Sequence, residues 1–360
     1  MGDWHPCVSR VPVPFDITRH WLRRDHFRMS RVADQSHGPV SRLLGATRAL
    51  VRRLRPEEGL LVIGFLASAC LTIYANVDLY QQGIRSRALR GGLLRLAVVL
   101  MLAAGLPLLE RLLRRGRGRP ALLGTAVFLR TMLPFLMCIA VYTNLHDTVR
   151  YVNRHDVHAQ IAAVEEWIFG GQPVLWAERY ITPWRTDFFN FFYANFYLLS
   201  PSVFLVLWFS GRREEARLVL LGVILCFYSG YVLYVLLPAA PPRLYFASLG
   251  LFTKSLAGGP ITHFQEALIA MMPNHAARAA FPSLHAAVSC LSLYYAWKYC
   301  RWFFPILLVF VVGLLVATVY LRHHWVVDLL AGTALVPWVL WITPRFERFW
   351  WTRVVGRESG

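Results

Sequence analysis

Eight long apolar stretches constrain the fold of this 360-residue chain more than any other feature of its sequence. Each is long enough, or nearly so, to cross a hydrocarbon layer of about 30 Å. Because a segment in lipid must satisfy its own backbone hydrogen bonds, we expect these stretches to be α-helices. With 56% hydrophobic residues, the chain is predicted to be an all-α polytopic membrane protein. The stretches lie at about 60–80, 93–113, 121–143, 188–209, 218–237, 284–300, 302–321 and 325–342.

The net charge of +18 comes from arginines in the N-terminal tail and in short loops between apolar stretches. This distribution is typical of the positive-inside rule and not of a nucleic-acid-binding protein. It predicts that both ends of the chain face the cytoplasm and that 144–187, 238–283 and 322–324 lie together on the opposite face. The excess of arginine over two lysines favours a bacterial inner membrane as the location.

This topology predicts four regions: a basic cytoplasmic tail at 1–58, an accessory transmembrane hairpin at 59–120, a six-helix body at 121–343 and a second cytoplasmic tail at 344–360. Residues 145–187 are too polar to cross the bilayer and are rich in tryptophan and tyrosine, which suits a helix lying at the outer interface.

The polar start of this interfacial segment, and the six cysteines of the chain, are the candidates for a metal site. We favour a solvated interfacial segment for the polar cluster, with an acceptor headgroup or a divalent ion as alternatives. The cysteines have no metal-ligand spacing, so neither a metal nor a cofactor is predicted. The cluster consists of His146, Asp147, Arg150, Arg154, His155, Asp156 and His158.

An aspartate one turn inside an apolar segment is costly unless it has a partner. Asp328 follows His324 by four residues, a spacing that places both side chains on one face of a helical turn. The carboxylate would then orient the imidazole and raise its nucleophilicity. We predict that His324 is a nucleophile oriented by Asp328; the alternative is a purely structural hydrogen bond between helix ends.

A second histidine, His285, follows Pro282 and Ser283 at the start of the sixth apolar stretch. The free N–H groups at a helix N-terminus favour an anion. We predict that His285 is a general acid that protonates a leaving oxygen and that Ser283 is a phosphate ligand. The alternative is a serine N-cap beside an interfacial histidine.

Two arginines near these motifs suit a phosphate, because a guanidinium donates two parallel hydrogen bonds and keeps its charge at low dielectric. Arg243 follows a stiff proline-rich run at 238–242, and Arg322 precedes the histidine pair. We predict both as phosphate ligands, the alternative for each being an arginine that reaches the membrane boundary. His323 would point about 100° around a helix from His324, so it is predicted to be structural or a contact behind the site.

The stretches FPSLHAA at 281–287 and YLRHHWVVDLLAG at 320–332 resemble the second and third motifs of the PAP2 (type 2 phosphatidic acid phosphatase) superfamily. PAAPPR at 238–243 is similar to the first-motif region of its Aur1-like branch, which includes inositol phosphorylceramide synthases. The resemblance covers about 120–343. It implies a six-helix catalytic membrane domain that forms a phosphohistidine on His324 without a metal, with a lipid phosphate as substrate and water or a polyol such as inositol as acceptor.

The sequence departs from the family pattern where two cationic phosphate ligands are usual. Those positions hold Leu236 in the first motif and the Ala317-Thr318 pair in the third. Arg322 is the candidate replacement for one of them.

Two further function classes compete with a membrane phosphatase or phosphotransferase. A lipid transporter, scrambler or scaffold would also carry intramembrane charges, but it has no need for a His–Asp turn facing a Ser-x-His helix start. A vanadate-dependent haloperoxidase would share the oxyanion pocket, but the eight apolar stretches argue against it.

Overall fold

The computed structural model describes residues 52, 54–83, 87–115, 120–270 and 278–356, so residues 1–51 of the predicted tail lie outside the described part of the chain. Within the described residues the fold is all-α, with one isolated bridge between Ala239 and Ala279. A 3₁₀ turn at Glu178–Tyr180 and a π turn at Trp350–Val354 complete the elements. The helices are α1 (Pro56–Gln81), α2 (Arg87–Arg115), α3 (Pro120–Val152), α4 (His158–Phe169), α5 (Pro173–Ala177), α6 (Pro183–Ala194), α7 (Phe196–Phe209), α8 (Arg213–Leu236), α9 (Pro242–Ser248), α10 (Pro260–Ala270), α11 (Leu284–Tyr299), α12 (Phe304–Tyr320) and α13 (Val326–Phe349).

A helix forms at each of the eight predicted apolar stretches, but they differ in length and straightness. Among the described residues, four helical segments are long and apolar enough to cross a membrane, and the bent pair α6–α7 makes up to five. Helices α11 and α12 have 16 and 17 residues, which gives each a length of about 25 Å against a hydrocarbon layer of about 30 Å. The chain is therefore a membrane protein by composition and helix length, and the expected count of eight spans is not confirmed.

Helix α8 is the centre of the bundle. Buried residues occur around most of its circumference, among them the run from Val219 to Cys226, and it packs against α1, α3, α7, α11 and α13. A helix that is apolar on every side is stable only when neighbours surround it. Gly222 allows one of these close contacts, because a Cβ there would lie 2.2 Å from the hydroxyl oxygen of Tyr295.

Helices α1 and α2 pack against α3 and are attached by buried ion pairs. The guanidinium of Arg130 on α3 binds Glu58 on α1 and lies 3.0 Å from Glu110 on α2. Arg217 on α8 contacts Glu57 at 3.2 Å and also binds Glu347 at the end of α13. These charges join the first helices to the rest of the bundle at the end of α8 and α13 that lies opposite the histidine turn.

The predicted interfacial segment forms the amphipathic helix α4. Val164, Trp167 and Ile168 share an exposed face, with Trp167 84% exposed. Ile161 and Glu165 lie on the opposite, buried face. The spacing of these two sets is the i, i+3, i+4 pattern of a helix that is half buried.

The polar cluster before α4 is divided between separate ion pairs. Arg154 binds Asp78 on α1 at 2.7 Å, and Asp156 accepts from Arg278 at 2.7 Å. The side chains of His146 and Asp147 lie outside the described residues. Among the side chains that are described, no group of three or more metal-ligating residues is placed to hold a metal ion.

Candidate active site

The turn that carries the two adjacent histidines begins where α12 ends. The N–H of His323 donates to the carbonyl of Thr318 at 2.8 Å, and the N–H of Arg322 donates to the carbonyl of Val319 at 3.0 Å. This pair of bonds is the Schellman arrangement, which requires a left-handed residue just after the helix. Arg322 occupies that position with φ of 62°, where glycine is the usual residue.

The Arg322 side chain holds this turn from the outside. It is 7% exposed, donates to Glu178 and to the carbonyl of Lys254 at 2.7 Å each, and lies 3.8 Å from the ring centre of Phe252. Its backbone carbonyl accepts from the N–H of Arg243 at 2.9 Å. The structure therefore does not bring the Arg322 guanidinium to the histidines; it places it in a buried ion pair behind them.

His324 and Asp328 lie in hydrogen-bond contact at the N-terminus of α13. The Nδ1 atom of His324 is 3.2 Å from Oδ2 of Asp328, and the same oxygen accepts from the N–H of Trp325 at 3.1 Å. His324 precedes the helix, so the pair forms across its N-terminus and not within a helical turn as the spacing suggested. Asp328 is fully buried, and its contact with Nδ1 leaves Nε2 of His324 as the free ring nitrogen.

The second histidine meets that free nitrogen. Nδ1 of His285, in the first turn of α11, is 3.0 Å from Nε2 of His324. The helices that carry the two rings also touch through their backbones: the N–H of Ser283 donates to the carbonyl of Asp328 at 3.0 Å. A Cβ on Gly332 would lie 2.2 Å from the carbonyl oxygen of Ser283, so only glycine permits this approach.

Ser283 is the N-cap of α11. Its hydroxyl oxygen accepts from the N–H of Ala286 at 3.3 Å, and the residue is fully buried. It is not among the residues that line the cavity beside the histidines. The structure thus gives Ser283 the geometry of a helix cap.

A cavity of about 160 Å³ opens beside the histidines and continues between the helices. One end is polar and contains Arg243 and three histidines, and the rest is mainly aromatic and aliphatic. The lining residues are Phe135, Ile139, Tyr142, Thr143, Tyr193, Phe196, Tyr197, Ser200, Pro201, Phe227, Tyr231, Tyr234, Pro241, Arg243, Gln265, Ala279, Ala280, Leu284, His285, Val288, His323 and His324.

Arg243 supplies a positive charge to the polar end. No carboxylate of the described residues forms an ion pair with it, and its buried Nε atom has no hydrogen-bond partner there. A buried guanidinium without a counter-ion is costly unless an anion binds beside it. This end of the cavity is therefore suited to an anionic ligand.

The histidines in the turn are neutral at pH 7. Burial, with a smaller effect from Arg243, lowers the pKa of His324 to about 3. Burial likewise holds the pKa of His323 well below its usual value. In the neutral tautomer in which Nδ1–H donates to Asp328, Nε2 of His324 is unprotonated, which is the form that a nucleophile requires.

The model of the PAP2 superfamily matches residues 159–342, just over half of the chain. The chain belongs to the PAP2 superfamily. The comparisons with curated proteins and with solved structures gave no match. Membership of the PAP2 superfamily supports phosphatase-type or phosphotransferase-type activity for a membrane protein of this kind.

The PAP2 domain contains one site residue that the sequence analysis missed. Glu165 on α4 is fully buried, and its Oε1 atom accepts from the N–H groups of Val326 and Val327, the latter at 3.3 Å. It therefore caps the N-terminus of α13, the helix that carries Asp328. Burial, with the neighbouring Asp328 carboxyl as a smaller cause, raises the pKa of Glu165 to about 7. The signal in the sequence was a carboxylate on the apolar face of an amphipathic helix.

Of the six predicted site residues, the PAP2 fold brings four to one place and puts two behind it. His285, His324 and Asp328 form a continuous chain of contacts, and Arg243 lines the same cavity. Arg322 and Ser283 instead hold the ends of the helices that carry the histidines.

Proposed function

We propose that this protein is an integral-membrane enzyme that transfers a phosphoryl group from a lipid phosphate or phosphodiester through a phosphohistidine on His324. The observation that supports this best is the chain of contacts from Asp328 through His324 to His285 at the mouth of a cavity with an uncompensated arginine. We also propose that the site faces the non-cytoplasmic side of a bacterial inner membrane, on the basis of the arginine distribution.

In the first step, the Nε2 lone pair of His324 attacks phosphorus and the bond from phosphorus to the leaving oxygen breaks. Asp328 holds the Nδ1–H and stabilises the positive charge that develops on the ring. Phosphorus takes the place of His285 at Nε2, and His285, released from that contact, gives a proton to the leaving oxygen. A phosphate dianion beside the two rings favours the protonated form of His285 that this step needs.

In the second step, a hydroxyl group attacks the phosphohistidine. His285 takes the proton of that hydroxyl, the P–N bond breaks and His324 returns to its starting state. Water as acceptor makes the enzyme a phosphatase, and a polyol such as inositol makes it a phosphotransferase. The likeness of the 238–243 segment to the Aur1-like branch supports a transferase within this proposal.

The remaining groups hold the reactants. Arg243 is the proposed phosphate ligand, because it lines the cavity and lacks a counter-ion. Ser283 and Arg322 act indirectly: the Ser283 hydroxyl caps α11, and the Arg322 guanidinium, paired with Glu178, fixes the turn before His323. The apolar part of the cavity, which includes Phe135 and Phe227, suits the apolar portion of a lipid.

The test is turnover of a panel of radiolabelled lipid phosphates and phosphoinositides by detergent-purified protein, with and without inositol and with EDTA throughout. We expect wild type to release free phosphate or, when inositol is present, to transfer the phosphoryl group to inositol, and His324→Ala to do neither. His263→Ala, which changes an exposed histidine on α10, is the matched control and should retain activity. Absence of turnover, or equal turnover in wild type and His324→Ala, would refute the phosphohistidine mechanism for those lipids and favour a transporter or scaffold.

A further inference from the structure

His323 lies in the same cavity as His285 and His324, although its position in the sequence suggested a structural residue. It is 9% exposed. Its ring stacks on that of Tyr193, with centroids 4.2 Å apart and planes 18° apart. The Schellman turn explains this placement, because the left-handed residue before His323 redirects the chain toward the cavity.

Stacking alone does not account for an imidazole at this position. A phenyl ring would stack on Tyr193 equally well and would carry no polar atoms to bury. Neither ring nitrogen of His323 hydrogen-bonds to a group in the described part of the chain, and neither is among the sealed polar atoms without a partner there. Both nitrogens are therefore open to the cavity, where they are available to a bound ligand.

The charge balance of the cavity indicates which ligand chemistry fits. Arg243 is the one guanidinium that lines it within the described residues, since Arg322 is bound to Glu178. A phosphoryl group on its way to His324 has three non-bridging oxygens and two negative charges, which is more than a single guanidinium pairs with. The rings of His323 and His285 both pack against Tyr193, with centroid distances of 4.2 Å and 5.1 Å, and His285 contacts His324, so His323 lies beside the reacting centre.

We propose that His323 is a phosphate ligand that donates a ring N–H to a non-bridging oxygen of the phosphoryl group transferred to His324. This assignment rests on the proposed phosphoryl-transfer function. It gives to His323 the role that the sequence had suggested for Arg322.

The experiment measures inhibition by orthovanadate, an oxyanion that imitates the transferred phosphoryl group, together with KM for a lipid phosphate that wild type turns over. His323→Phe keeps the stacking on Tyr193 and removes the donor, and His323→Gln keeps a donor. Because a hydrogen bond to a charged group is lost, we expect His323→Phe to weaken vanadate inhibition by about 10- to 100-fold. His323→Gln should restore part of that affinity, and His263→Phe should match wild type.

The outcomes separate this inference from the function on which it rests. If wild type is active and vanadate-sensitive but vanadate inhibits folded His323→Phe protein within about twofold of wild type, the phosphate-ligand role is wrong while the function stands. If wild type turns over no lipid phosphate and does not respond to vanadate, the proposed function fails and this inference fails with it. Size-exclusion profiles and thermal midpoints identify a variant that has failed to fold, and His323→Leu, which also removes the donor, then replaces His323→Phe in the comparison.

Discussion

The buried pair between Arg322 and Glu178 permits a sharp test of how the histidine turn is held. The two side chains are 8% and 10% exposed and contact each other at 2.7 Å. Glu178 also accepts from the hydroxyl of Thr253 at 2.8 Å, so it joins the 3₁₀ turn after α5, the segment after α9 and the end of α12. We predict that Glu178→Ala impairs both stability and activity, although Glu178 does not line the cavity.

The magnitude follows from leaving one buried charge without its partner, which costs about 3–5 kcal/mol of unfolding free energy. Glu178→Ala and Arg322→Ala should each lose about this much, and the double variant should lose little more than either alone. The coupling energy between the two sites is then about 3 kcal/mol or more. Arg322→Gly should be about 1 kcal/mol less harmful than Arg322→Ala, because glycine adopts a φ of 62° without strain.

The assay is a double-mutant cycle on denaturant or thermal unfolding in detergent, with kcat and KM measured on the same four proteins. A phosphate-binding Arg322 gives a different result: Arg322→Ala would raise KM, and Glu178→Ala would leave KM near that of wild type. Additive losses of stability, or a Glu178→Ala protein with unchanged stability and activity, would refute the positioning role.

Four further variants test the surrounding geometry. Asp328→Asn should lower kcat by roughly 10²- to 10⁴-fold with little change in KM, because the His324 ring loses the carboxylate that orients it; equal kcat values in a steady-state assay would contradict this. The raised pKa of Glu165, about 7 against an ordinary 4.5, means that the folded state binds the proton more tightly than the unfolded state, so this contribution to stability is lost as pH rises from 4.5 through 7. Between pH 5 and pH 8, the thermal midpoint of wild type should therefore fall relative to that of Glu165→Gln. The fall should be equivalent to about 3 kcal/mol of unfolding free energy at most. Parallel curves for the two proteins would contradict the raised pKa of Glu165. Gly332→Ala should cost about 1–3 kcal/mol in denaturant unfolding because its methyl group meets the Ser283 carbonyl. Ser283→Ala should cost about 1 kcal/mol as a lost N-cap and leave KM unchanged; a large rise in KM would return Ser283 to the phosphate.

The parts of the site that depend on local spacing could be predicted from the sequence. The four-residue separation of His324 and Asp328 predicted that they meet, although not across a helix N-terminus, and Pro-Ser-x-His predicted a helix start. Placing the two segments on one side of a membrane predicted only that His285 and His324 lie in the same region, and their direct contact is a finding of the structure. The positions of the helices followed from apolar length alone, but the number that cross the bilayer did not, since α11 and α12 are short.

The parts that depend on long-range packing could not be predicted. Arg322 looks like a phosphate ligand in sequence, and only the fold shows that Glu178, 144 residues earlier, binds its guanidinium. The same is true of Glu165, whose partners are backbone N–H groups of a helix 161 residues later. For His323, the assumption of a continuous helix was wrong, because the chain leaves α12 in a left-handed turn before that residue.

The close backbone contact between α11 and α13 has a consequence for the timing of the reaction. A hydrogen bond from Ser283 to the Asp328 carbonyl and a glycine at 332 hold the two helix starts together without any help from the histidine side chains. The two helix starts are therefore positioned before a substrate arrives, and the side-chain contact between His285 and His324 is the part that must open to free Nε2. A bulky substrate must in addition be admitted between the helices that line the rest of the cavity, such as α3 at Ile139 and α7 at Pro201, so movement of these helices is expected to control substrate exchange while the two helix starts stay fixed.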